Sequence, residues 1–175
     1  MSKLYFGICL LLLSLSSKAQ QSINNFTVKE HSIVWQKDIS SDVDQPALFE
    51  KIILSGILKD AKMFNNIIYG EVRNFTLNYK DYDTKLSIID RSSLAMTYTG
   101  YLTIQKEESN LKIFFSHIGY LSSWDSASPS SSFIELESWA LKKDGIKEFS
   151  NSFKGNVSYI MNEEFMKVFS DLFKK

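Results

Sequence analysis

The chain has 175 residues, with 20 basic and 20 acidic side chains, 44% hydrophobic residues and one cysteine, Cys9. That balance offers a phosphate backbone no positive stripe, so nucleic acid is excluded as an expected partner. Cys9 lies in an N-terminal apolar run, and once that run is removed disulfides, thiolate catalysis and cysteine–zinc sites are excluded as well.

Met1 to Ala19 reads MSKLYFGICLLLLSLSSKA. A basic start, an apolar stretch and small residues at Ser17 and Ala19 are the pattern of a secretory signal peptide cleaved after Ala19. The apolar stretch is about half of the ~20 residues that a bilayer span requires, so no stable membrane insertion is expected after cleavage. The remaining 156 or so residues suffice for one domain with its own core. The expected organisation is a signal peptide over 1–19, a flexible leader over 20–25 and a single domain over 26–175. The expected location is periplasmic or extracellular.

From Phe26 the chain alternates as a strand, with Ile33, Trp35 and Ile39 on one face until Lys37 interrupts it. Asp42 or Asp44 followed by Pro46 marks a helix entry, where the carboxylate accepts first-turn amides and proline sacrifices no intrahelical bond. Leu48, Phe49, Ile52, Ile53 and Ile57 form its apolar stripe, and the helix should end near Asp60. Lys59 to Asn66 reads as a connection. One long or interrupted strand follows, with Phe75, Leu77 and Tyr79 alternating and Gly70 marking a bulge. Asp81 to Ser93 reads as a loop or a short strand.

LAMTYTGYLTIQ then alternates cleanly: Leu94, Met96, Tyr98, Leu102 and Ile104 against Thr97, Thr99, Tyr101 and Thr103. QKEESN and LKIFFSHIGYL complete a β-hairpin, with Leu111, Ile113, Phe115, His117 and Leu121 on one face and Phe114, Ser116, Ile118 and Tyr120 on the other. Asp125 to Ser132 is a serine-rich loop, and FIELESWALKK a further strand. Val157, Ile160, Met161, Phe165, Val168, Phe169 and Leu172 fall on one helical face, in which Glu164 is the only polar member. That helix is placed from about Val157 to Phe173, with Asn162 as an alternative cap.

These elements predict an α+β fold: an antiparallel sheet of about five or six strands with two helices packed on one face. The Leu94–Ile104 side should lie under the helices near Phe165 and Phe169. The leader ending KAQ, the IVWQKDI strand, the PALFEKIILSGIL helix, the YTGYLTIQ…LKIFFSHIGYL hairpin and the final apolar helix together resemble a family of exported bacterial domains without assigned function. The resemblance implies a curved sheet similar to that of the TATA-box-binding protein. It implies no DNA binding, because fold does not carry function.

A census of reactive groups returns no catalytic, cofactor-binding or metal-binding residues. His31 and His117 lack acidic or cysteine neighbours at ligand spacing, no serine sits in a Gly-x-Ser-x-Gly turn, and the seven glycines form no phosphate cradle. Asp42, Asp44 and Asp81 to Asp83 lack the glycine and glutamate of a calcium loop. Asn25, Asn74 and Asn156 head glycosylation sequons that matter only in a glycosylating host. The remaining candidate is a partner-binding face of Thr97, Thr99, Tyr101, Thr103, Phe114, Ile118 and Tyr120, suited to an envelope protein or a glycan. The function expected is that of a non-enzymatic exported binding or accessory domain. The alternatives are an envelope hydrolase assembled from His31 or His117 with a carboxylate, and a carrier holding a small apolar ligand between sheet and helices.

Overall fold

A computed structural model describes residues 21–82, 85–122, 132–143 and 148–172. The expected signal peptide, Trp124, most of the serine-rich loop, Ile146 and Phe173 lie outside the described residues.

The chain is α+β. Among the described residues eight strands form one antiparallel sheet: β1 (Ser22–Ile23), β2 (Phe26–Lys29), β3 (Ser32–Ser40), β4 (Leu58–Phe64), β5 (Ile67–Thr76), β6 (Thr97–Glu107), β7 (Asn110–Ser122) and β8 (Ser132–Glu135). Their order is β1-β2-β3-β7-β6-β5-β4, and β8 pairs with the end of β7 that β3 does not reach. The helices are α1 (Gln45–Ser55), α2 (Ile88–Leu94), α3 (Glu137–Ala140) and α4 (Ser158–Asp171).

The sheet has more strands than the alternation predicts, for identifiable reasons. Ser22 and Ile23, expected in a flexible leader, pair with Thr27 and Phe26 across a turn in which Asn24 and Asn25 both take positive φ. Asparagine tolerates that region better than other side chains. Glu30, also at positive φ, turns β2 into β3, so the single strand expected from Phe26 is a hairpin. Helix α1 stops at Ser55 because Gly56 adopts a left-handed cap and donates its N–H to the Ile53 carbonyl. The segment read as a connection then becomes β4. Asp44 does occupy the N-cap of α1 and Pro46 its first turn, but the Asp44 side chain makes no capping bond. Ile53, expected on the buried stripe, is 52% exposed; Leu48 and Ile52 carry the contact.

Between Asp81 and Ser93 the chain forms α2, closed by a capping box in which Ser87 Oγ accepts the Asp90 N–H and Asp90 accepts the Ser87 N–H. Leu94 therefore ends a helix, and β6 begins at Thr97. The connection of β6 to β7 is Glu108–Ser109, shorter than expected, with Glu108 at positive φ. FIELESWALKK is split: β8 ends at Glu135 and α3 makes one helical turn. Asn162 is inside α4 and is no cap.

The core lies between one sheet face and the helices. Phe26, Ile33, Trp35, Tyr98, Leu102, Ile104, Leu111, Ile113 and Phe115 are buried from the sheet side, with Phe165 and Phe169 from α4. Phe165 stands 5.1 Å from Phe115, 5.4 Å from Phe75 and 5.7 Å from Trp35, ring centroid to centroid. Each buried aromatic of this kind contributes about 1.5–3 kcal/mol from burial alone. Because Phe115 pairs with Leu102, the Leu102–Ile104 side sits where expected, beneath Phe165 and Phe169.

Candidate functional site: the open sheet face

One irregularity decides what the other face presents. Thr99 pairs with Gly119 and Tyr101 with Ser116, so His117 and Ile118 together oppose the single residue Gly100. His117 adopts φ 50°, outside the strand region. An extra residue in one strand reverses its side-chain alternation beyond that point. Phe115 is buried by the regular pattern, and after the bulge Ile118 is buried in place of His117. Gly100 is required opposite it: a Cβ there would stand 2.6 Å from the Phe115 ring and 2.8 Å from the Ser116 carbonyl.

The seven candidate residues consequently divide. Thr97, Thr99, Tyr101, Thr103 and Phe114 lie on the open face, exposed or half-buried. Ile118 does not: it is fully buried in the core. Tyr120 is half-buried, its ring 5.9 Å from buried Tyr98 in an edge-on contact, so it follows Ile118 to the helix side. Burial drives the Tyr98 phenol well above the usual range, with Tyr120 adding to it, and the hydroxyl donates to the Ser93 carbonyl at 2.7 Å.

In exchange, the bulge brings His117 and Leu121 to the open side. Tyr101 is 54% exposed and meets the His117 ring edge-on at 5.9 Å. Leu121, 58% exposed, pairs with Phe133 of β8, 45% exposed. The Phe133 ring lies over Gly119, where a Cβ would collide with it. Tyr69, which pairs with Thr103, adds another exposed ring on β5. The reading from periodicity put His117 and Leu121 on the other face, since parity after residue 116 depends on a register that only the partner strand reveals.

The polar groups around this patch are mostly engaged. Thr99 Oγ1 donates to the Val72 carbonyl at 2.6 Å, beside a second bulge that contains Asn74. Arg73 and Glu71 form an ion pair at 2.6 Å, and the Arg73 hydrogen bond holds the Glu71 carboxyl below its usual range. Lys29 lies 5.3 Å over the Phe114 ring and donates to Gln36.

The reactive groups do not converge. His31 is exposed in the β2–β3 turn, whereas His117 meets the adjacent Ser116 hydroxyl at 3.4 Å and the Tyr101 ring edge-on, and acts on the Glu137 carboxyl as a minor electrostatic influence. Among the described residues no group of three or more His, Cys, Asp or Glu is placed to hold a metal ion. Two carboxylates, half-buried Glu137 and buried Glu164, act within the fold. Glu137 accepts the Ile33 N–H at 2.6 Å, and its second oxygen has no hydrogen-bond partner among the described residues. Burial pushes its carboxyl up, against the pull of that N–H. Glu164 accepts from the Asn78 N–H, the Tyr82 hydroxyl and the Lys167 ammonium at 2.9, 2.8 and 2.7 Å. Among the sequons, the Asn25 amide is occupied by Asn162 and the Asn156 amide reaches the Lys85 carbonyl. No helix among the described residues is long and apolar enough to cross a membrane.

No family model and no curated protein matches this chain. Two solved structures resemble it. A TBP-like protein from Parabacteroides distasonis has 14% identity and a TM-score of 0.47, covering 83% of this chain and 92% of its own. A DUF4468 family protein from Bacteroides ovatus has 12% identity and a TM-score of 0.43, covering 91% and 93% respectively. These bacterial neighbours agree with the resemblance read from the order of elements, a domain of unknown function with a TBP-like fold. Neither transfers an activity.

Proposed function

We propose that this chain is a non-enzymatic binding or accessory domain acting outside the cytoplasm through its open sheet face. The observation that carries the reading is the patch made by Tyr101, His117, Leu121 and Phe133: exposed rings and one aliphatic side chain on neighbouring strands, backed by a fully packed core. Tyrosine and phenylalanine held on a sheet supply contact area without much ordering entropy, and their flat faces suit a protein surface or the apolar face of a sugar. The expected secretory leader places the partner in the envelope or beyond it.

A Tyr101→Ala, Phe133→Ala double variant tests this. Both side chains are about half exposed, so the fold should survive, while recovery of a partner from envelope extract should fall at least ten-fold. Undiminished recovery of the same partner overturns the reading.

A further inference from the structure

β3 pairs with β7 along its second part and with β2 along its first. Toward β7 it is matched from Trp35 to Ser40. Toward β2 the matched residues are Ser32 to Trp35, followed by a single bond from the Gln36 N–H to the Asn25 carbonyl at 2.9 Å. That bond fixes which groups face outward. Strand residues alternate their backbone direction, so Gln36, Asp38 and Ser40 turn N–H and C=O away from β7. Beyond the Gln36 N–H, these outward groups have no hydrogen-bond partner among the described residues, and Asp38 and Ser40 are exposed. Beside them lies a cleft of about 510 Å³, bounded by Ile23, Asn24 and Asn25 at one end and by Gln36, Lys37 and Asp38 along its side. The β1–β2 hairpin thus stops halfway along β3 and leaves a notch in the sheet edge.

We propose that this notch accepts an extended peptide segment, which adds to the sheet as a strand in line with β2. The chemistry selects the occupant. The outward pattern is a donor and an acceptor on every second residue, a repeat of about 6.6–6.8 Å, and another polypeptide backbone offers its complement. Strand addition of this kind takes affinity from main-chain bonds and specificity from alternate side chains. The opposite edge of the sheet is less suitable: β4 is bulged at Asp60 and carries Lys59 and Lys62, features that blunt an edge. The notch has no bulge between Gln36 and Ser40.

The probe is a library of random heptapeptides displayed on phage and panned on the purified domain; the enriched peptide is then synthesised with a fluorescent label. Asp38→Ala keeps the backbone N–H and should bind within about three-fold of the parent. Asp38→Pro removes an N–H that faces away from β7, a position where an edge strand tolerates proline, and should bind at least ten-fold more weakly. On the unaltered domain, saturating peptide should slow hydrogen exchange at the Asp38 and Ser40 amides, a readout that does not depend on the folding of any variant. No enrichment over blank panning, equal affinity of the proline variant, or slowed amides elsewhere each overturns the proposal. Tyr101→Ala should leave peptide affinity unchanged, which separates this result from that for the open face.

Discussion

The indole N–H of Trp35 donates to Oδ1 of Asn162 across 2.9 Å, joining the buried face of β3 to the middle of α4. The same oxygen accepts the Asn25 amide at 2.7 Å, so one buried side chain ties together the helix, the sheet and the β1–β2 turn. Replacing it strands a fully buried indole donor. Asn162→Ala should lower unfolding free energy by about 1–3 kcal/mol, read from urea denaturation with an unchanged slope. In a Trp35→Phe background the same substitution should do less harm, because no indole N–H is left unpaired.

Glu164 and Glu137 should give pH dependences of opposite sign. Burial raises the Glu164 carboxyl, but the Lys167 ammonium, the Asn78 N–H and the Tyr82 hydroxyl outweigh it and hold the group below its usual range. A lowered folded-state value contributes stability that is complete above the unfolded value of about 4.3 and is lost as pH falls through the folded one. Glu137 is raised, with burial the largest cause. Its contribution is complete below the unfolded value and is lost as pH rises through the raised one. Urea midpoints at pH 3, 5 and 7 check both. Glu164→Gln should lower the midpoint at pH 7 and change little at pH 3. Glu137→Gln, which keeps an acceptor for the Ile33 N–H, should match or exceed the parent at pH 7.

The bulge at His117 should be indifferent to the imidazole and sensitive to backbone freedom. A non-glycine residue at positive φ carries roughly 1–2 kcal/mol of strain. His117→Gly should therefore be neutral or stabilising, even though it forfeits the ring contact with Tyr101. His117→Val, branched at Cβ, should destabilise by a similar amount. Thermal melts of the two variants check the order.

Much of this architecture is legible in local pattern. The alternation from Thr97 to Gln105 gives β6 and its buried side, and the three-four spacing from Val157 gives α4 and marks Glu164, whose three partners the structure supplies, but not the buried Ser158 and Asn162 of the same helix. Ser87-x-x-Asp90 was a visible start signal for α2, obscured by the charges around it. The bulges were not visible. His117, Asn74 and Asp60 occupy positive φ because of what their partner strands do, and a period-two count carried past such a residue assigns every later side chain to the wrong face. That is why Ile118 and Tyr120 were expected outside, and why Leu121 was not.

Hydroxyl-radical footprinting of the purified domain, read residue by residue by mass spectrometry, tests most directly whether the bulge turns β7 over and leaves one face open. Tyr101, Leu121 and Phe133 should oxidise readily while Tyr98 and Ile118 stay protected. Rapid oxidation of Ile118 with protection of Leu121 would mean that the alternation runs unbroken through His117, and would contradict the account.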